Sequence, residues 1–181
     1  MPALPLPARS PAAKRAPALA ALAVATLALA AGASHAAGAS AHVVSIYAPR
    51  GAGGDCTRVL PLRRVVEGRA VLTGAMRALL AGPTKAERAR GYGGWFSAAT
   101  AGHLRGVRLV RGVAYIDFRD FRRKLPNASS SCGSALLLAQ LDRTAKQFPT
   151  VRRTVYSFGG SPRAFYEWLQ REAPAASPGR T

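Results

Sequence analysis

Two cysteines and three histidines are all that this 181-residue chain contains. That is too few for a four-cysteine zinc site, and no metal-ligand spacing connects the residues that remain. No run combines the length and strong apolarity of a multi-span membrane protein. No G-x-S-x-G elbow occurs, and the glycine loops Gly51-Ala52-Gly53-Gly54 and Gly91-Tyr92-Gly93-Gly94 lack the Lys-Ser/Thr of a phosphate loop. Acids are scarce, with 8 Asp+Glu against 26 Lys+Arg. Asp117 and Asp120, or Asp142 and Glu167, are the pairs that glycosidase chemistry could use, but basic neighbours favour ordinary ion pairing for all of them. Of the histidines, His35 and His42 lie near the N-terminus, which leaves His103 as the one placed to act as a base. No catalytic residue, metal or cofactor is therefore expected.

Alanine is abundant, and 18 of its 38 occurrences fall in the first 41 residues. Residues 1–17 carry Arg9, Lys14 and Arg15 and no acid; an Ala/Leu-rich run from Ala18 to Ala33 follows, then Ser34-His35-Ala36. Basic region, apolar run and small-residue cleavage site form the order of a secretory signal, here 1–36. Cleavage after Ala36 is the first choice and Ala39-Ser40-Ala41 offers a second. No cysteine follows either site, so no lipid anchor is expected. A retained membrane anchor is the alternative. Export places Cys56 and Cys132 in an oxidising compartment, where an even pair reads as a disulfide.

After a short linker at 37–41, one domain is expected over 42–171, with a disordered Ala/Pro/Ser/Gly-rich tail at 172–181. Strands are read at Val43–Tyr47 and Thr57–Arg63. Val71, Leu72, Ala75, Met76, Leu79 and Leu80 recur at helical spacing, and Gly82-Pro83 ends that helix. Thr84 and Glu87 fit a capping box for a short helix to about Arg90. Val107–Val110 and Val113–Phe118, joined by Arg111-Gly112, read as a hairpin. A helix from Ser134 to Phe148 has Leu137, Leu138, Leu141, Ala145 and Phe148 on one face. A strand over Val151–Phe158 and a last helix capped by Ser161-Pro162 follow. The order suits an α+β fold, helices packed on one mixed sheet.

Arginine outnumbers lysine 22 to 4, and beyond residue 36 there are 23 basic and 8 acidic side chains, a balance of +15. A domain so charged attracts anionic partners. Arg122, Arg123 and Lys124 cluster beside a Pro/Asn/Ser loop and are the first choice for contacts. No helix-turn-helix, RNP or finger pattern points to specific nucleic acid.

Several segments resemble a GerMN domain, the module named from a sporulation and spore-germination protein. They are Leu80-Ala81-Gly82-Pro83-Thr84 with Glu87 and Gly91, the strand Val113–Phe118, Asn127-Ala128-Ser129 with Ser131-Cys132-Gly133-Ser134, and Leu141-Asp142 with Thr144. Gln147-Phe148-Pro149-Thr150-Val151 and Tyr156-Ser157-Phe158-Gly159-Gly160 complete the set. The resemblance covers roughly 42–170. It implies an extracytoplasmic bacterial domain without enzyme activity, similar in fold to ring-building modules of secretion assemblies. Binding or assembly with an envelope protein or an anionic wall or lipid component is then expected, and a homo-oligomer is open. An exported hydrolase of wall glycan or peptide is the alternative. Arg111 departs from the acidic residue or Asn that often precedes the family's turn glycine.

If the signal is read correctly, N-terminal sequencing of the exported protein yields Ala37 or a near neighbour as first residue. An intact Met1 or Pro2 would refute the assignment.

Overall fold

The structure, a computed structural model, describes residues 40–51 and 55–174. The expected signal, most of the expected linker and residues 175–181 of the expected tail lie outside the described residues.

Strands β1 (Ala41–Ala48) and β2 (Leu60–Glu67) pair antiparallel, with Val43 opposite Val65 and Tyr47 opposite Pro61. Ala41, placed in the linker by the sequence reading, already pairs with Glu67. Alternation turns Val44, Ile46, Ala48, Leu62 and Val66 into the core and leaves Val43 and Val65 in solvent. The second strand starts and ends later than the expected Thr57–Arg63. Residues 56 and 57 turn instead, and the alternating pair that sets the strand is Leu62 and Val66. Pro61 is accommodated because Tyr47 directs its own N–H and C=O away from β2. They meet Thr144 Oγ1 (3.2 Å) and Gln140 Nε2 (3.2 Å). Tyr47 and Pro61 thus face each other as a non-hydrogen-bonded pair, which asks no donor of the proline.

Helix α1 (Val71–Ala81) buries Ala75, Met76, Leu79 and Leu80, as its periodicity predicts. It stops at Gly82, whose φ is 74° and where a Cβ would lie 2.1 Å from the Phe96 carbonyl oxygen. Only glycine fits there. In α2 (Lys85–Ala89) the predicted capping box is complete: Glu87 N donates to Thr84 Oγ1 (3.2 Å) and Thr84 N donates to Glu87 Oε2 (2.7 Å). Strands β3 (Leu104–Val110) and β4 (Val113–Phe118) form the predicted hairpin. Arg111 and Gly112 both adopt positive φ, 49° and 81°, the two-residue geometry that matches strand twist. Arg122–Lys124 make one 3-10 turn.

Helix α3 spans Ser131–Lys146, starting three residues before the expected Ser134, because Ser130 Oγ accepts from Gly133 N and caps it. The chain then returns as β5 (Arg153–Phe158), two residues shorter than read, parallel to β4. Helix α4 (Pro162–Trp168) is capped by Ser161 as predicted. The fold is α+β, but its strands form two sheets, β1-β2 and β3-β4-β5, not one mixed sheet. The free edge of β1 explains the split. It is occupied by side chains of α3 and of its C-terminal cap: Ser45 exchanges two hydrogen bonds with the amide of the cap residue Gln147 (2.8 and 2.7 Å), and Thr144 and Gln140 take Tyr47. No strand of the second sheet can pair where those side chains already bond.

A single apolar cluster joins Ile46, Leu62, Met76 and Leu79 to Ile116, Phe118, Tyr156 and Phe165. Leu137 and Leu141 of α3 lie fully inside it, whereas Leu138 is only half-buried. Leu138, read on the same apolar face, lies at the flank of the core because its neighbour in sequence, Leu137, points inward, and successive helix positions diverge by about 100°. Arg64 grips Glu87 through both Nη groups (2.8 and 2.7 Å) and also reaches the Gly82 carbonyl (3.3 Å), so β2, α2 and the turn before α2 are tied at one buried point.

Leu141→Ala is expected to lower unfolding free energy by about 2–5 kcal/mol in urea titration, and Leu138→Ala by less than half as much. A reversed order would place the core on the wrong side of α3. Arg64, with help from Thr84, holds the Glu87 carboxyl down to about 2 from the ordinary 4.5. A depressed carboxyl stabilises fully above its unfolded value and loses that contribution as pH falls towards its folded one. Glu87→Gln should therefore cost on the order of 2–3 kcal/mol at neutral pH. Its deficit should shrink between about pH 4.5 and pH 2 in melts followed by circular dichroism; a constant deficit would contradict the pairing.

Candidate functional site

The carboxylates considered for catalysis are each engaged by neighbouring residues. Asp117 Oδ1 accepts from Ser157 Oγ (2.7 Å) and Gly160 N (2.7 Å), and Oδ2 lies 3.4 Å from Arg105, so it fastens β4 to the end of β5. Asp142 accepts from Tyr156 Oη (2.7 Å), Thr154 Oγ1 (2.7 Å) and Lys146 Nζ (2.9 Å), and binds α3 to β5. Burial, with Asp142 beside it, pushes the Tyr156 hydroxyl well above its usual range, so it stays a donor. Glu167 pairs with Arg163 one turn away on α4. His103 packs its ring edge-on against Phe121, 6.1 Å between centroids. Among the described residues, no three His, Cys, Asp or Glu gather as a metal set.

The basic cluster read from sequence sits on the 3-10 turn that follows β4. Arg122 is clamped by Asp120, with Nε 3.0 Å from both carboxylate oxygens and Nη2 2.6 Å from Oδ2. That clamp keeps the Asp120 carboxyl below its usual range and pairs Arg122 with a negative charge. Arg122 also lies 5.7 Å over the Phe158 ring. Arg123 and Lys124, both exposed, carry the positive charge the turn presents.

A second basic surface was only half visible in the sequence: Arg152 and Arg153 are adjacent, but Arg111 and Arg108 lie about forty residues away. Strand register sets Arg153 beside Val113, and Arg152 lays its side chain over Gly112, where a Cβ would come within 3.2 Å of its Nε. Arg111 occupies the same turn, and the Arg152 and Arg153 amides both donate to the Gly112 carbonyl (2.8 and 3.1 Å). Further along the same sheet face, Arg108 stacks on Tyr115 at 4.8 Å. The spacing of neighbouring strands, not a run of charges, builds this patch.

Cys56 and Cys132 are joined in a disulfide, Cα atoms 5.2 Å apart, which ties the loop before β2 to the first turn of α3. Beside it opens a cleft of about 390 Å³, with Arg50, Arg58 and Asp55 on one wall and Trp95 and Leu136 on the other. The sequence reading identified the disulfide but not the cleft, whose two walls come from segments about 40 and 80 residues apart.

A family description, Germane: Sporulation and spore germination, matches residues 45–163. No curated protein matches the chain. Among solved structures, a Clostridium perfringens protein provisionally named a lipoprotein shares 12% identity over 70% of this chain and 78% of its own, at a TM-score of 0.39. The tandem GerMN domains of the sporulation protein GerM from Bacillus subtilis share 16% identity over 67% of this chain and 40% of theirs, at a TM-score of 0.43. The matched span runs from the middle of β1 to the first turn of α4 and contains the Gly82-Pro83 stop, the capping box and the β3-β4 hairpin, and on that match the chain belongs to the Germane sporulation and spore-germination family.

Proposed function

We propose that this protein is an exported, non-catalytic envelope domain that binds an anionic partner through its arginine surfaces. One contrast supports the reading. The carboxylates Asp55, Glu87, Asp117, Asp120, Asp142 and Glu167 are all engaged in hydrogen bonds to neighbouring residues, while arginines remain grouped at two places on the surface. A general acid or base needs a carboxyl or imidazole aimed at open space with a shifted proton affinity. Asp117 and Asp142 point instead at strand hydroxyls and a backbone amide. Arginine, by contrast, offers a planar fork that matches carboxylate and phosphate oxygens in pairs. The family description adds a sporulation and germination setting, and the N-terminal segment order and the disulfide agree with export.

The test is retention of the purified protein on isolated cell envelopes. Retention should fall as salt rises from about 0.05 to 0.5 M, because screening shortens the reach of exposed charges. Arg123→Glu with Lys124→Glu, or Arg111→Glu with Arg152→Glu, should weaken retention several-fold while leaving the melting temperature within a few degrees. Retention indifferent to salt and to both pairs would overturn the electrostatic reading. Release of sugar or peptide from the envelopes, stopped by Asp117→Asn or His103→Ala, would establish the hydrolase instead.

A further inference from the structure

The cleft beside the disulfide brings together two arginines, the first turn of a 16-residue helix and an indole. Its volume, about 390 Å³, falls in the range that encloses a small ligand. Arg50 is held in place before any ligand arrives: its Nε donates to the Arg90 carbonyl (3.0 Å) and its guanidinium lies 5.4 Å over the Tyr92 ring. Neither contact uses its Nη groups. Arg58 stands on the same wall, its backbone set by the turn that Asp55 closes. Asp55 Oδ1 takes both the Thr57 amide and hydroxyl (2.8 Å each), which lowers its proton affinity and keeps it charged. Two guanidinium groups against one carboxylate leave the wall positive.

The opposite wall adds to this. Cys132 is the second residue of α3, a 16-residue helix whose positive end opens on the cleft. Ser130 takes the Gly133 and Ser134 amides with its Oγ and carbonyl; the amides of the preceding Ser131 and Cys132 lie ahead of that cap. Trp95 is pinned by two bonds, Nε1 to the Gly133 carbonyl (3.0 Å) and its own amide to Gln140 Oε1 (3.1 Å). A pinned indole beside Leu136 gives a flat apolar surface at low entropic cost.

The geometry points to a binding site for a ring-shaped sugar acid: the sugar ring lies against Trp95 and Leu136, and its carboxylate is taken by Arg50, Arg58 and the first turn of α3. Neither wall alone selects this class. A positive wall alone takes any anion, and an indole alone takes any apolar ring. Together they demand a ligand with both, spaced within one small cleft. The ligand class follows from the cleft; its source in wall glycan rests on the export proposed above. The site shares no residue with either arginine surface, so the two readings can fail separately.

Calorimetric titration of the purified full chain with N-acetylmuramic acid tests the assignment, with N-acetylglucosamine as the neutral ring, lactate as the carboxylate without a ring, and inorganic phosphate as a bare anion. Saturable binding of the sugar acid, at least tenfold tighter than any of the three comparators, is expected. Arg58→Ala should weaken it fivefold or more without lowering the melting temperature, and Trp95→Phe should weaken it in the same direction. The Arg123→Glu, Lys124→Glu protein should bind it as the wild type does. Absence of saturable binding at millimolar ligand, equal binding of a comparator, or indifference to Arg58→Ala would overturn the site. Envelope retention indifferent to salt and to the charge reversals, with sugar-acid binding intact, would refute the surface reading and leave the cleft standing.

Discussion

The edge of β1 is the point on which the architecture turns. A strand edge presents donors and acceptors that must bond to something, and a two-stranded hairpin by itself is marginal in water. Here Gln140 and Thr144 of α3, with Gln147 at its C-terminal cap, supply the bonds that a neighbouring strand would supply. The same helix sends Leu137, Leu141 and Ala145 into the core and Asp142 to β5. One face of α3 thus completes a sheet edge, another packs the interior, and a third anchors the second sheet. The two sheets have no strand pairing in common; α3 and the apolar cluster are what hold them in register with each other.

Much of this was legible in the sequence, and the reasons are local. Gly82-Pro83, the Thr84–Glu87 box, the Arg111-Gly112 turn and the Ser161-Pro162 cap each act within a few residues, so their physics is complete in a short window. Element positions failed where distant partners decide. Leu138 has the right spacing for the core and still sits at its flank, because the direction of the apolar stripe depends on what α3 packs against. The division into two sheets was illegible for the same reason: glutamines at a sheet edge look like any polar helix face.

The candidate site divides similarly. The run Arg122-Arg123-Lys124 is visible as letters, yet its first member is paired with Asp120, a partner two residues away whose clamp depends on the turn. Arg152 and Arg153 are neighbours in the sequence, but Arg111 is about forty residues away and joins them only through strand register. The cleft joins Arg50 and Arg58 to Trp95 across the disulfide, and none of these stands in a motif. Family membership, by contrast, was read from short segments, since those segments are the turns and caps whose chemistry is local.

The bonds between β1 and α3 join residues 93 to 102 positions apart in the chain. A chain made from its N-terminus produces β1 early and α3 late. For that interval the Ser45 and Tyr47 edge is an open strand beside Val43 and Val65, an apolar pair that never becomes buried. The first strand of the described residues therefore waits, with its edge uncovered, for a helix made about a hundred residues later.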